Sequence, residues 1–357
     1  MRQTHSLDKI KKYADNYIDL QIKRREHYME NKIKIAMFDT KSYDRIYFEK
    51  LCPPNCEVTY FEHKLNKSTA SSTKGFDVVV PFVNDDVNKC VIDELAEDGV
   101  KLIAMRCAGY NNVDIKYIKD KIKIARVPAY SPYAVAEHAM ALLLCLNRRI
   151  HKAFIRTRDH NFSLEGLMGW DLHGKVAGVI GTGKIGWIFI NICRGFGMEV
   201  IAYDPYPVDD KSINYVSLDE LLEKSDIISL HCPLNESTKQ LINENTIKKM
   251  KNTAALINTS RGALVDSRAL LEALIEKRLG AAALDVYEEE GDLFFEDYSD
   301  EIVDDEILTR LVSLPNVIIT SHQAFLTREA LENIASVTYE NITQYFESNK
   351  LPNEITG

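Results

Sequence analysis

The sequence predicts a two-domain α/β protein whose second domain is a doubly wound parallel sheet, on three grounds. Its 357 residues, 45% of them hydrophobic, supply enough apolar surface for two cores. Short β-rich runs alternate with helix-like polar segments along most of the chain, the pattern of parallel sheets joined by crossovers. One of those runs leads directly into Gly181-Thr182-Gly183-Lys184-Ile185-Gly186.

Taken in order, residues 1–31 read as an N-terminal extension outside both cores. They carry Lys, Arg, Asp and Glu throughout with no apolar stretch, so they fit neither a signal peptide nor a membrane anchor. Runs at 33–38, 57–61, 77–83, 101–105 and 122–127 predict the strands of a small, mostly parallel α/β unit. Ser131-Pro132 then opens a helix over 134–149, with Ser as N-cap and Pro in the first turn. Its stretch 139–146 is apolar nearly all round, which buries it in a core or in a subunit interface. Six further strands are expected at 176–180, 199–203, 227–230, 254–257, 281–284 and 317–320, each followed by a helix or turn. An amphipathic helix over 328–346 is expected to return to the first unit.

The formal charge of −9 is local, because residues 288–306 hold eleven acidic residues and no Lys or Arg, leaving about +2 for everything else. No basic face is visible, which argues against a nucleic-acid partner. The seven cysteines form no C-x-x-C pair and no zinc-type spacing with His, so reduced thiols in the cytoplasm and no metal are expected. No apolar run is long enough to span a bilayer.

The glycine motif lies between an expected strand and an expected helix, and Asp204 stands eighteen positions past its last glycine at the end of the next strand. That is the context of a dinucleotide site. Gly181 permits the tight turn, Gly183 lets backbone approach a pyrophosphate, and Gly186 lets helix pack closely on strand. The helix N-terminus attracts phosphate, and Asp204 accepts from ribose hydroxyls and repels a 2′-phosphate, favouring NAD over NADP. The plainer alternative is an ordinary glycine turn.

Ligands of open α/β sheets bind beyond the carboxyl ends of the strands. Those positions hold Asp204, His231, Asn258-Thr259-Ser260-Arg261, Asp285, Glu288 to Glu290 and Ser321-His322. One arginine, one histidine and several carboxylates suit reversible hydride transfer to a 2-keto acid. Arg261 matches a substrate carboxylate with its planar fork, and His322 can pass a proton to the carbonyl oxygen beside a carboxylate that stabilises its protonated form. Each has a duller reading: a structural histidine, a loop ion pair, a solvated acidic loop. Position does not decide among Glu288, Glu289 and Glu290.

Together these residues carry a family likeness. Gly181 to Gly186, Tyr203-Asp204-Pro205, Ser229 to Pro233, Asn258 to Gly262, Asp285 to Glu290 and Ser321 to Phe325 resemble, in order and spacing, the D-2-hydroxyacid dehydrogenases. The likeness runs from about residue 32 to 354. Arg106 to Asp114, Val127 to Tyr130 and Asp292 to Asp297 are similar to the bacterial fermentative D-lactate dehydrogenase branch. The resemblance implies Arg261 as substrate clamp, Glu290 as partner of the histidine and His322 as acid and base. It implies substrate contacts at Ala108, Gly109 and Tyr130. Cofactor contacts are implied at Thr182, Lys184, Ile185, His231, Cys232, Pro233, Thr259, Ser260 and Arg261, with Asp285 a nicotinamide contact or a support behind the site. It also implies a Rossmann-type NAD domain, 131–322, inserted in a smaller flavodoxin-like substrate domain, 32–130 and 323–357, and a homodimer or homotetramer acting on pyruvate with NADH. One departure is Ser321, where relatives commonly have Pro or Gly before the histidine.

Two other functions fit part of this pattern. One is the same chemistry on a branched, aromatic or hydroxypyruvate-type 2-keto acid, decided by a pocket near Tyr130 and Phe325. The other is a binding protein that senses NAD(H) without turnover.

Overall fold

The computed structural model describes residues 32–118 and 121–356. The expected extension 1–31 lies outside these. The chain divides into two units, one running to Tyr130 and resuming at Leu331, the other Ser131–Ala330. This division between Ala330 and Leu331 falls inside the helix Arg328–Ser348.

In the first unit, β1 (Ile33–Met37), β2 (Cys56–Tyr60), β3 (Val78–Val80), β4 (Leu102–Ala104) and β5 (Lys123–Ala125) form one sheet in the order β2-β1-β3-β4-β5, every ladder parallel. This is the flavodoxin-like order. β3 and β4 are buried at every position, as strands covered on both faces must be. The predicted strand 77–83 is shorter than expected because Asp85 ends it locally: its carboxylate accepts from the amides of Phe82 and Leu65. Phe38, Val79, Leu95, Ile103 and Met105 anchor the core. The C-terminal helix belongs to this unit from Leu331, with the Tyr339 hydroxyl donating to the Phe48 carbonyl at 2.7 Å.

In the second unit β6 (Val176–Ile180), β7 (Glu199–Tyr203), β8 (Asn214–Tyr215), β9 (Ile227–Leu230), β10 (Ala255–Asn258), β11 (Ala281–Leu284) and β12 (Val317–Ile319) run β12-β11-β10-β9-β6-β7-β8, again wholly parallel. The edge strand β8 was not foreseen; two residues carry no readable period. Alternate residues of one strand feed opposite cores: Ala255 and Ile257 pack with the helix Pro132–Arg148, while Leu256 packs with the helix Ser267–Ile275. The helix Pro132–Arg148 is N-capped by Ser131, which accepts from the Ala134 amide, and ends where Arg149 turns left-handed at φ 50°. The connection from β6 to β7 lies on one side of β6 and β9 on the other, so the order reverses at β6, the point where doubly wound sheets open a crevice.

Candidate active site

Gly181 follows β6 at φ +93°, and a Cβ there would lie 2.7 Å from backbone atoms of His231 and Cys232. A Cβ on Gly186 would stand 1.9 Å from the Gly181 carbonyl oxygen, so the helix Lys184–Gly195 can approach β6 only with glycine at that position. At Gly183 a Cβ would meet open space, and no side chain caps the helix that starts beyond it. The first amides of that helix thus face a cradle with room for a phosphate, beside exposed Lys184 and half-buried Ile185.

Asp204 closes the other side. Its Oδ2 accepts from the Thr182 amide at 2.8 Å and hydroxyl at 3.1 Å, and its Oδ1 from the Tyr206 amide at 2.8 Å. A carboxylate offers about four acceptor positions, so capacity for a ribose hydroxyl remains. The Tyr215 hydroxyl, on unforeseen β8, donates to Thr182 Oγ1 and fixes the arrangement. These residues fit a dinucleotide.

After β9 come His231, Cys232 and Pro233. The His231 ring packs 4.9 Å from Phe189, its Nε2 meets Ser229 Oγ at 2.9 Å, and its Nδ1 is buried without a partner. Burial lowers its pKa to about 3, so it stays neutral and is a poor proton donor. Burial likewise pushes the Cys232 thiol up to about 11, which keeps it protonated. After β10, Asn258 shapes its own loop by accepting from the Ser260 amide and donating to the Arg261 carbonyl. Thr259 is buried, with an unpartnered hydroxyl. Arg261 Nη1 donates to the Ser260 carbonyl, and among the described residues the guanidinium pairs with no carboxylate. The next residue, Gly262, passes so near the 285–290 loop that a Cβ would sit 1.9 Å from the Tyr287 carbonyl oxygen.

That loop supplies the third element. His322 Nδ1 lies 2.8 Å from Glu290 Oε1, with the two side chains 17% and 18% exposed, and Glu290 Oε2 accepts from the Tyr287 amide. The three candidate glutamates are now distinguishable. Glu288 is turned to Gln240 and the Ser267 amide, Glu289 is exposed, and only Glu290 reaches the histidine. The Phe295 ring stands 5.9 Å from that of His322. With Nδ1 committed to a carboxylate, Nε2 is the ring nitrogen left to meet a ligand.

Asp285 is fully buried at the end of β11. It accepts from the Thr320 hydroxyl and the amides of Gln323 and Ala324, and its carbonyl accepts from the His322 amide at 2.7 Å. Ala108, Gly109 and Tyr130 lie in the first unit: Arg126 donates to the Ala108 carbonyl, Cys107 Sγ to that of Gly109, and Asn333 to that of Tyr130. Sequence reasoning missed Tyr215, Thr320 and the role of Gly262. Only the glycine, directly after Arg261, gave a signal. Among the described residues no His, Cys, Asp and Glu cluster is arranged to hold a metal, and no helix is long and apolar enough to cross a membrane.

The family model for "D-isomer specific 2-hydroxyacid dehydrogenase, NAD binding domain" matches residues 140–324. D-lactate dehydrogenase of Escherichia coli K12 is 48% identical over 328 residues, 90% of this chain and all of that protein. The apo-structure of the E. coli D-lactate dehydrogenase superposes with a TM-score of 0.83 at 46% identity, covering 90% of this chain and 99% of the other. A structure described as the pyruvate reductase of Chlamydomonas reinhardtii gives 0.86 at 44% identity, covering 91% and 100%.

Proposed function

We propose, from the premise that the chain belongs to the D-isomer-specific 2-hydroxyacid dehydrogenase family and is an NAD-dependent oxidoreductase, that its reaction is the reversible reduction of pyruvate to D-lactate. The observation that carries the chemistry is the His322–Glu290 pair at 2.8 Å, on a loop that Gly262 brings against the one bearing Arg261. NADH, when bound, supplies the hydride.

Arg261 holds the substrate carboxylate through two parallel N–H donors and draws electron density from the adjacent carbonyl. His322 delivers the proton from Nε2 to the carbonyl oxygen as the carbon is reduced, and takes it back from the hydroxyl in the reverse direction. Glu290 holds the ring by Nδ1 and balances the charge of the imidazolium, as the acid does in other histidine-based triads. Gly181, Gly183, Gly186 and Asp204 hold the adenosine and pyrophosphate side of NAD, and Thr259 and Ser260 line the approach to it. Ala108, Gly109 and Tyr130 complete the substrate contacts in this reading, on the strength of the family pattern. Pyruvate as substrate is supported by the names of the similar proteins.

The proposal extends to a homodimer or homotetramer. Phe162, Leu164 and Met168 are 71%, 82% and 89% exposed, and an apolar groove of about 540 Å³ opens between the helices Pro132–Arg148 and Lys184–Gly195. Exposed apolar area on this scale favours a self-interface. The cysteines form no disulfide among the described residues, which supports a reducing, cytoplasmic setting.

The test is NADH oxidation with pyruvate, followed at the nicotinamide absorbance, with chiral assay of the product. D-lactate formed over many turnovers supports the reading. Faster turnover with a bulkier 2-keto acid moves the substrate and keeps the mechanism, and tight NADH binding without turnover on any keto acid replaces the enzyme by a sensor.

A further inference from the structure

We propose that His138 is a positioning residue for His322, acting through the buried carboxylate of Asp285. The inference rests on the reading of His322 as the proton donor.

His322 is held at φ +53°, a left-handed conformation that is strained for a non-glycine residue and persists only where its surroundings over-determine it. Glu290 holds the ring by Nδ1, and the backbone of the loop is held by Asp285. The Asp285 carbonyl accepts from the His322 amide at 2.7 Å, Oδ1 accepts from the Gln323 amide at 2.9 Å, and Oδ2 from the Ala324 amide at 2.8 Å. Three consecutive amides of the loop are thus tied to Asp285, and the direction in which the His322 ring leaves the backbone depends on where that carboxylate sits.

The carboxylate is set in turn by two side chains. Thr320 Oγ1 donates to Oδ1, and His138 Nε2 stands 3.2 Å from Oδ1 and 3.3 Å from Thr320 Oγ1. Burial pushes the Asp285 carboxyl upward, but the donors, His138 and Thr320 first among them, hold it below the usual range. An ionised carboxylate has no proton to give, so the hydrogen of the His138 contact resides on Nε2. His138 stands on a helix fixed to the sheet core by Ala139, Leu142 and Leu143, all buried. The chain of contacts therefore runs from a rigid helix, through a buried anion, to the backbone of the proton donor. A displacement of reacting groups by about 1 Å is enough to cost on the order of 10²-fold in rate.

The experiment compares His138→Leu, His138→Gln and His322→Gln in the full chain with NADH and pyruvate. Turnover, the keto-acid KM, the NADH Kd and the thermal midpoint are measured for each. His138→Leu is expected to lower kcat by about 10- to 100-fold while KM and NADH Kd stay within about twofold. His138→Gln, whose amide can donate to Oδ1, is expected to recover most of the loss. Unchanged kcat in His138→Leu overturns the proposal. Equal loss of kcat in both His138 variants, in step with thermal midpoint, also overturns it, because that pattern is structural. Should His138→Leu fail to fold, Thr320→Val removes the other donor to the same oxygen, and unchanged kcat there sinks the idea equally. If His322→Gln itself turns over normally, the assignment of the acid fails first. If it is inactive while His138→Leu is not impaired, only the positioning role fails.

Discussion

Acidification from pH 8 to pH 4.5 should destabilise the second unit through His231. An unfolded histidine titrates near 6.5, whereas burial in the fold lowers this one to about 3. Between those values the unfolded chain binds a proton that the folded chain refuses, so stability is highest above 6.5 and is lost as pH falls towards 3. Each pH unit inside that window is worth about 1.4 kcal/mol, so the two units from 6.5 to 4.5 amount to about 2.7 kcal/mol. Burial is the physical cause, and the unpartnered Nδ1 shows that an imidazolium there would carry a donor with no acceptor. Asp85 acts in the opposite sense. Burial raises its pKa from 3.8 to about 6, so the folded chain retains a proton that the unfolded chain gives up, and stability from this group is lost as pH rises through that interval. A comparison of the unaltered chain with His231→Gln cancels this and every other shared group. Urea unfolding followed by Trp170 and Trp187, both in the second unit, reads the transition at each pH. The unaltered chain should lose about 2–3 kcal/mol more than His231→Gln between pH 8 and 4.5. Parallel curves would refute the reasoning, since they would mean that His231 accepts its proton in the folded state.

Three further outcomes are expected. His322→Gln should lower turnover by about 10²- to 10⁴-fold with NADH affinity nearly intact, measured by steady-state kinetics and NADH fluorescence titration; lost NADH affinity would assign the histidine to the cofactor instead. Asp204→Asn should raise the NADPH-to-NADH ratio of kcat/KM by at least about tenfold by removing a negative charge where a 2′-phosphate would lie, and an unchanged ratio would detach Asp204 from the ribose. Trp187→Glu, at the apolar groove where this side chain is 44% exposed, should shift the species seen by light scattering to lower mass; an unchanged mass would place any subunit contact elsewhere.

Local pattern determined much of this protein. The strands at 176–180, 199–203, 227–230 and 281–284 were legible to the residue, because inner strands of a parallel sheet are short, mostly apolar runs set off by polar residues or turns at their ends. The N-cap at Ser131 and the conformational demands of Gly181 and Gly186 were legible for the same reason: a residue's own chemistry dictates them. The residues at strand ends were visible as candidates, since the rule that ligands collect there needs only the strands. What only the tertiary structure decided are relations between residues far apart in sequence. Glu288, Glu289 and Glu290 are identical as letters, and it is the path of the loop past Gly262 that turns one to His322 and another to Gln240. His138 and Asp285 lie 147 positions apart, one on a helix and the other just past the end of a strand, and they meet only because the sheet winds both ways. Side-chain periodicity reports which face of an element is buried; it carries no record of which partner lies opposite, and the network behind His322 consists of such partners.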